Sequence, residues 1–403
     1  MNTDVLIIGA GPAGSVAGSM LARQGHKVTC LEAGTFPRFQ IGESLLPRCN
    51  DILEQAGLLD AVVQRRYIPK NAALFLKGEE RERFCFAEVF PGQRTATFQV
   101  PRFDFDQTLA TAARAHGADI QFNQRVDAVE FHDGGAVVTA TDLESEQTRK
   151  LEAKFVVDCS GYGRVLPRLL KLEKPSSLAP RMAVFTWIEG DQRPTGTEEG
   201  DIWVCIHPRG AWIWIIPFSN GRTSVGVVME RALYDSVPGC DRDKLFTLLN
   251  EDPNARARLA KASPVLKTMK LEAWSASVEK LHGKNWALTG NAAEFLDPVF
   301  SSGVTVALES ASRAANLIHR QLSGETVDWD KDYGQVVEKA VGVFRVFVRT
   351  WYTGELQRVL LRANKTQSIK RAITAILGGY VLDNENPFVR DPQGTLSALL
   401  KLG

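Results

Sequence analysis

Apolar and polar positions along this chain change period several times, and each change marks an element. After Asp4 the run to residue 8 is unbroken apolar, which predicts a central parallel strand buried on both faces. Residues 13–24 repeat apolar positions at helical spacing and stop at Gly25, a helix C-terminal signal. Residues 27–32 give a second strand. A loop over 33–47, rich in Gly, Pro, Phe and Ser, follows, and a loop of that length inside a compact domain is usually functional. Helices are predicted over 49–64 and 104–116. Strand-like alternation covers 70–100, then 118–157 with a turn at Asp133-Gly134-Gly135, then 180–230 with a turn at residues 219–222. A short strand over 286–289 leads to a helix over 304–322. Residues 331–403 read as helical up to a proline-containing tail.

With 403 residues, one core is not enough, and two interleaved domains plus a tail are expected. The order of elements predicts an α/β fold: a Rossmann-like dinucleotide domain, discontinuous over 1–70, 101–180 and 275–325. An antiparallel substrate-covering sheet over 71–100 and 181–274 is inserted in it, and 326–403 form a helical C-terminal region. The net charge of +1 gives no reason to expect a nucleic-acid partner. The six cysteines are scattered without a CxxC, and no two histidines lie close, so neither a disulfide framework nor a metal site is expected. The N-terminus has no basic stretch ahead of its apolar run, and no apolar run reaches membrane-spanning length. A soluble, cytoplasmic protein is the expectation.

Gly9-Ala10-Gly11-Pro12-Ala13-Gly14 places GxGxxG between the first strand and the first helix. In that setting Gly9 permits the tight turn, Gly11 lets backbone approach a pyrophosphate, and Gly14 lets the helix pack close. Glu32 closes the second strand, where a carboxylate reaches ribose hydroxyls. Two further apolar strands end in small-residue turns, at Ser160-Gly161 and at Gly290-Asn291, the latter followed by Asp297-Pro298. Arg102 heads a helix. Ser301-Ser302-Gly303 precedes the helix at Val304, where free backbone N–H groups and the helix dipole make an anion site. The string Trp212-Ile213-Trp214-Ile215-Ile216-Pro217 is a strand with Trp on one face and Ile on the other, ending at a proline edge. Two indoles in such a strand also suit an ordinary core.

The ordered set of turns resembles the glutathione-reductase-type FAD fold in its aromatic-hydroxylase branch. Three strings narrow this: WIWIIP at 212–217 resembles the WxWxIP motif of flavin-dependent halogenases, Gly42-Glu43-Ser44-Leu45-Leu46-Pro47 their GESLLP loop, and residues 297–303 their DPVFSSG segment. The resemblance also extends to bacterial halogenase-like flavoproteins or dehydrogenases. It implies bound FAD, contacted by Gly9, Gly11, Pro12, Ala13, Gly14, Glu32, Ala33, Arg38, Gly42, Glu43, Ser44, Arg102, Val126, Ser160, Gly161, Gly290, Asn291, Asp297, Pro298, Gly303 and Val304. Where the family usually has Gly-Asp, this chain has Gly290-Asn291, and Asn can donate or accept a hydrogen bond. No second GxGxxG follows, so reducing equivalents are expected from a separate NAD(P)H flavin reductase.

Halogenases also use a lysine that handles hypohalous acid, in a K-x-G-x-x-F-x-W-G pattern. Residues 70–78 keep Lys70, Phe75 and Gly78 but have Ala72 for Gly and Lys77 for Trp. The resemblance implies halide at Ser301, Ser302 and Gly303, and hypohalous acid passing Trp212 and Trp214 to a catalytic Lys70. That lysine is expected partly desolvated in a tunnel, about 10 Å from the flavin; a solvated surface lysine is the alternative. The substrate would be an electron-rich aromatic or pyrrolic molecule, free or carrier-bound. The rival is a monooxygenase or reductase/dehydrogenase acting on a phenol, polyene or prenyl chain. A non-catalytic flavoprotein is the third reading. The aromatic-rich stretch 343–352 either lines a substrate tunnel, docks a carrier protein, or packs on the FAD domain.

Overall fold

The chain is described by a computed structural model over residues 2–401; Met1 and the last two residues of the expected helical region lie outside the described residues. Strand Asn2–Ile8 is the centre of the first sheet, paired in parallel with Val28–Leu31 on one side and Thr148–Asp158 on the other. Outward from these lie Asp119–Gln121 and Trp286–Leu288, both again parallel. All the core strands therefore point their C-terminal ends the same way, and the crevice beyond those ends is where such sheets bind ligands. Val5, Leu6 and Ile7 are fully buried, as a strand covered on both faces requires. The first helix, Pro12–Arg23, packs against helices Arg102–Ala115 and Ser302–Leu322 on one face of this sheet.

A second eight-stranded sheet covers the crevice. It is antiparallel except where Ile202–Ile206 runs parallel to Ala72–Lys77. Strand Trp212–Pro217 lies inside it, between Ile202–Ile206 and Thr223–Met229. The alternation works as its pattern predicts: Trp212, Trp214 and Ile216 belong to the core shared with the first sheet. Ile213 and Ile215 pack on the opposite face, beneath helix Asp241–Glu251. Gly226 pairs with Trp214 across the sheet, and a Cβ on Gly226 would lie 2.3 Å from the indole. Glycine there lets the ring lie against the strand.

Several boundaries differ from the sequence expectation. The single helix over 49–64 is two helices, Pro47–Gln55 and Leu59–Gln64, because Gly57 takes φ +73 between them. Within 70–100, residues 89–96 carry no strand. Three helices, Arg231–Ser236, Asp241–Glu251 and Pro253–Arg258, occupy a stretch the periodicity left unassigned. The tail prolines Pro387 and Pro392 begin helices rather than end them, since proline suits the first helical position. On helix Gln335–Tyr352, Phe344, Phe347 and Trp351 are almost wholly buried, so this face packs into the core.

Candidate active site

The three glycines of the first turn have three different physical reasons. Gly9 takes φ +96, and a Cβ there would lie 2.7 Å from the Cys159 carbonyl. At Gly14 a Cβ would stand 1.9 Å from the Gly9 carbonyl. Gly11, by contrast, has φ −64 and ψ −171, open to any residue, and its Cβ would meet only Arg38 Nη2 at 3.6 Å. The space over Gly11 is open. Glu32 ties the turn to the second strand: its carboxylate accepts from the Ala10 N–H at 2.8 Å and from the Gly34 N–H at 3.0 Å.

A cavity of ≈ 470 Å³ lies between the sheets. Of the residues singled out in the sequence, Gly9, Gly11, Pro12, Ala13, Glu32, Ala33, Arg38, Gly42, Glu43, Ser44, Arg102, Val126, Ser160, Gly161, Gly290, Asn291, Pro298, Ser301, Gly303, Val304, Trp212 and Trp214 line it. Gly14, Lys70, Asp297 and Ser302 do not. Tyr162, Phe185, Trp274 and Phe295 also line it and carried no sequence signal, because their neighbours in space are remote in the chain. Arg102 forks onto Asp106 (2.7 and 3.0 Å) and donates to the Ile41 carbonyl at 2.9 Å, fixing the start of the Gly42–Pro47 segment. Arg38 Nε, 3.8 Å from Glu32 Oε1, and the Ser44 hydroxyl are buried without a hydrogen-bond partner. Orphaned donors on a wall that leaves room over Gly11 are what a phosphate-bearing, polar-edged dinucleotide would satisfy; the residues present fit FAD.

Glu43 is 1% exposed, and its carboxyl accepts from the Trp187 indole N–H at 2.7 Å. Burial pushes its pKa up from 4.5 to about 7, and the Ser224 hydroxyl, the Trp187 N–H and the Arg102 charge only partly offset this. A raised carboxyl favours the fold below its unfolded value and loses that contribution as pH rises through the folded one. Glu43→Gln keeps the acceptor for Trp187 and removes the titration. Its stability advantage over wild-type apo-protein is therefore expected to grow between pH 4.5 and 7, reaching about 3 kcal/mol. Denaturant melts across that range measure it; a pH-independent gap would refute the buried-acid account.

The helix whose start was expected to offer an anion site begins two residues earlier than the sequence suggested. The helix begins at Ser302, not Val304, because Ser301 adopts the left-handed conformation (φ +56) and turns the chain into the helix. The first N–H groups of this 21-residue helix have no acceptor within it, and Ser301, Gly303 and Val304 bring that end to the cavity. Asp297 does not line the cavity. Its Oδ1 accepts from the Val299 N–H at 3.0 Å, and its Oδ2 from the Tyr352 hydroxyl at 2.8 Å. Burial raises it to about 6 against the pull of Tyr352, Val299 and Arg181.

Trp212 and Trp214 line the cavity with their rings 5.9 Å apart. Each indole N–H is satisfied: Trp212 donates to Tyr352 Oη and Trp214 to Ser224 Oγ, both at 3.1 Å. Lys70 is neither in the cavity wall nor on the surface. It is 1% exposed, ends strand Ile68–Lys70, and donates to the Leu45 carbonyl at 2.8 Å with its ammonium over the Phe86 ring. It thus lies directly behind the segment whose Glu43 and Ser44 face the cavity. Burial lowers its pKa from 10.5 to about 7.

The family of the FAD binding domain matches residues 2–333. The chain is 30% identical over 332 residues to a 1H-pyrrole-2-carbonyl-[peptidyl-carrier protein] brominase of Pseudoalteromonas luteoviolacea, covering 81% of this chain and 79% of that one. It is likewise 30% identical to the corresponding chlorinase of Pseudomonas fluorescens, over 87% and 82% of the two chains. It belongs to the flavin-dependent halogenases. As a member of that family it is an FAD-dependent oxidoreductase. Among solved structures it superposes on a flavoprotein/dehydrogenase from Cytophaga hutchinsonii with TM-score 0.96 at 41% identity, covering 100% and 98% of the two chains. A flavin-dependent brominase, at 23% identity and TM-score 0.87 over the whole of both chains, shares the fold. Among the described residues no helix is long and apolar enough to cross a membrane.

Proposed function

We propose that this chain halogenates an electron-rich aromatic or pyrrolic carbon, with reduced FAD, O2 and halide as co-substrates. The observation that carries the reading is a single cavity lined both by Trp212 and Trp214 and, through Ser301, Gly303 and Val304, by the start of helix Ser302–Leu322; Lys70 is buried behind the segment whose Glu43 and Ser44 form part of that wall. Reduced FAD with O2 supplies the oxidising equivalents that turn halide into an electrophile. The protein's part is position. Gly11 and the N-terminus of helix Pro12–Arg23 would face the pyrophosphate, Glu32 the ribose, and Ala33 and Val126 the adenine end. Gly42–Ser44, Ser160-Gly161, Gly290-Asn291 and Pro298 would enclose the rest. The helix start at Ser301-Ser302-Gly303 would hold halide by its free N–H groups and dipole. Trp212 and Trp214 would keep the organic substrate from the flavin, and Lys70 would receive the halogen electrophile and direct it.

The carrier-bound pyrroles of the two relatives above support a carrier-bound substrate, and a separate NAD(P)H flavin reductase would supply electrons. Every cysteine is unpaired, which favours the cytoplasm. A second reading, a monooxygenase or reductase/dehydrogenase on a phenol, polyene or prenyl chain, is supported by the 41%-identical flavoprotein/dehydrogenase and by Lys70 standing behind the wall rather than in it. Aerobic turnover with a flavin reductase, bromide and monochlorodimedone separates the two. Halogenation predicts loss of the trap's absorbance that requires bromide, with anomalous bromide density at the start of helix Ser302–Leu322. Flavin reoxidation with no trap consumption and no bromide at that helix would give the second reading first place.

A further inference from the structure

We propose that Tyr352 is a positioning residue whose hydroxyl joins Trp212, on the cavity wall, to Asp297, on the loop leading to the anion-binding helix start. What the two walls do rests on the function proposed above; the bridge itself does not.

Tyr352 ends helix Gln335–Tyr352, beyond residue 333 where the FAD-domain match stops. Its hydroxyl accepts from Trp212 Nε1 at 3.1 Å and donates to Asp297 Oδ2 at 2.8 Å. A phenol hydroxyl has one proton, so these two bonds fix its direction: the indole can only donate and the carboxylate receives. Trp212 is 2% and Asp297 2% exposed, so neither finds water if the hydroxyl is lost. The ring is held from its face by the Arg181 guanidinium, 4.1 Å from the centroid. One side chain from the C-terminal region thus meets the cover sheet and the loop of the FAD domain at a single oxygen. Phenylalanine there would keep the ring, its packing and the contact with Arg181, and remove only the bridge.

Asp297 reports on the bridge. The groups acting on it are the Tyr352 hydroxyl, the Val299 N–H and the Arg181 charge, all favouring its ionised form against burial. Removing the hydroxyl bond raises its midpoint. In the FAD-loaded protein, infrared titration of buried carboxyl groups, with the Asp297→Asn spectrum identifying the band, is expected to show a midpoint about one pH unit higher in Tyr352→Phe. A merely structural tyrosine would leave that midpoint unmoved while lowering thermal stability. A double-mutant cycle with Trp212→Phe completes the test. Hydrogen peroxide released per flavin reoxidised is expected to rise in each single variant and to rise little further in the double. An unchanged Asp297 midpoint, or independent addition of the two substitutions, overturns the bridge. Should the wild type fail to halogenate any trap, the proposed function falls while the titration still decides the role of Tyr352.

Discussion

Lys70→Met protein is expected to bind FAD and to reoxidise reduced flavin at the wild-type rate, yet to lose halogenated product by roughly 10³-fold, the scale of a positioned proton donor or acceptor. The lysine would act after the oxidant has formed, so its removal should divert oxidising equivalents into hydrogen peroxide rather than stop their formation. Burial brings its pKa to about 7, so near neutral pH both forms are populated: an ammonium able to donate to hypohalous acid and an amine able to take the halogen. Methionine is chosen because it fills the volume between Leu45 and Phe86 without a cavity. The same substitution carries a stability signature. A lysine whose pKa is depressed in the fold contributes stability that is complete above 10.5 and lost as pH falls through about 7. Wild type should therefore be weaker than Lys70→Met by several kcal/mol at pH 7 and below, and the gap should close toward pH 10.5. Full halogenation by Lys70→Met would remove the lysine from the mechanism and leave the FAD assignment standing.

What could be read from the sequence was set by local demands on the backbone. Gly9 and Gly14 are required by a turn and a close approach within five residues of each other, and Trp212 to Pro217 carries its two faces in its own alternation. Those features survive into the structure because the local demand is complete in itself, even where a remote group such as the Cys159 carbonyl adds a second one at Gly9. The features that escaped are made by partners far apart in the chain. Lys70 is buried because its strand pairs with Thr97–Gln99 and its ammonium reaches Leu45, 25 residues away. Glu43 becomes a buried acid only through Trp187, 144 residues on, and Tyr352 reaches Asp297 across 55. Asp297 itself matched a family string, yet it bonds to Tyr352 and the Val299 N–H and does not line the cavity. Helix ends failed for a different reason. Gly57 and Ser301 both adopt left-handed backbone, one splitting a helix and the other moving a helix start, and apolar periodicity does not register a single residue of that kind.

Gly11→Val is expected to abolish FAD binding while leaving the apo-protein folded, and the second half of that statement is what makes the substitution informative. Glycine at 11 is not demanded by its backbone, since φ −64 with ψ −171 suits any residue. Nor is it demanded by the protein around it: a Cβ would meet only Arg38 Nη2, at 3.6 Å, the mobile end of a long side chain. Valine adds a branched group to open space beside the N-terminus of helix Pro12–Arg23, where a pyrophosphate would sit against free N–H groups. The expected loss in FAD affinity is at least roughly 100-fold, with apo stability lowered by no more than about 1 kcal/mol, the cost of valine at a helix N-cap. Gly14→Ala provides the contrast. Its methyl would stand 1.9 Å from the Gly9 carbonyl, so the turn itself must shift and stability falls along with binding. Fluorescence titration with FAD and thermal melts of both apo-variants separate the two mechanisms. FAD affinity within tenfold of wild type in Gly11→Val would mean that the phosphates do not pass over Gly11, and the placement of the cofactor along this turn would have to be abandoned.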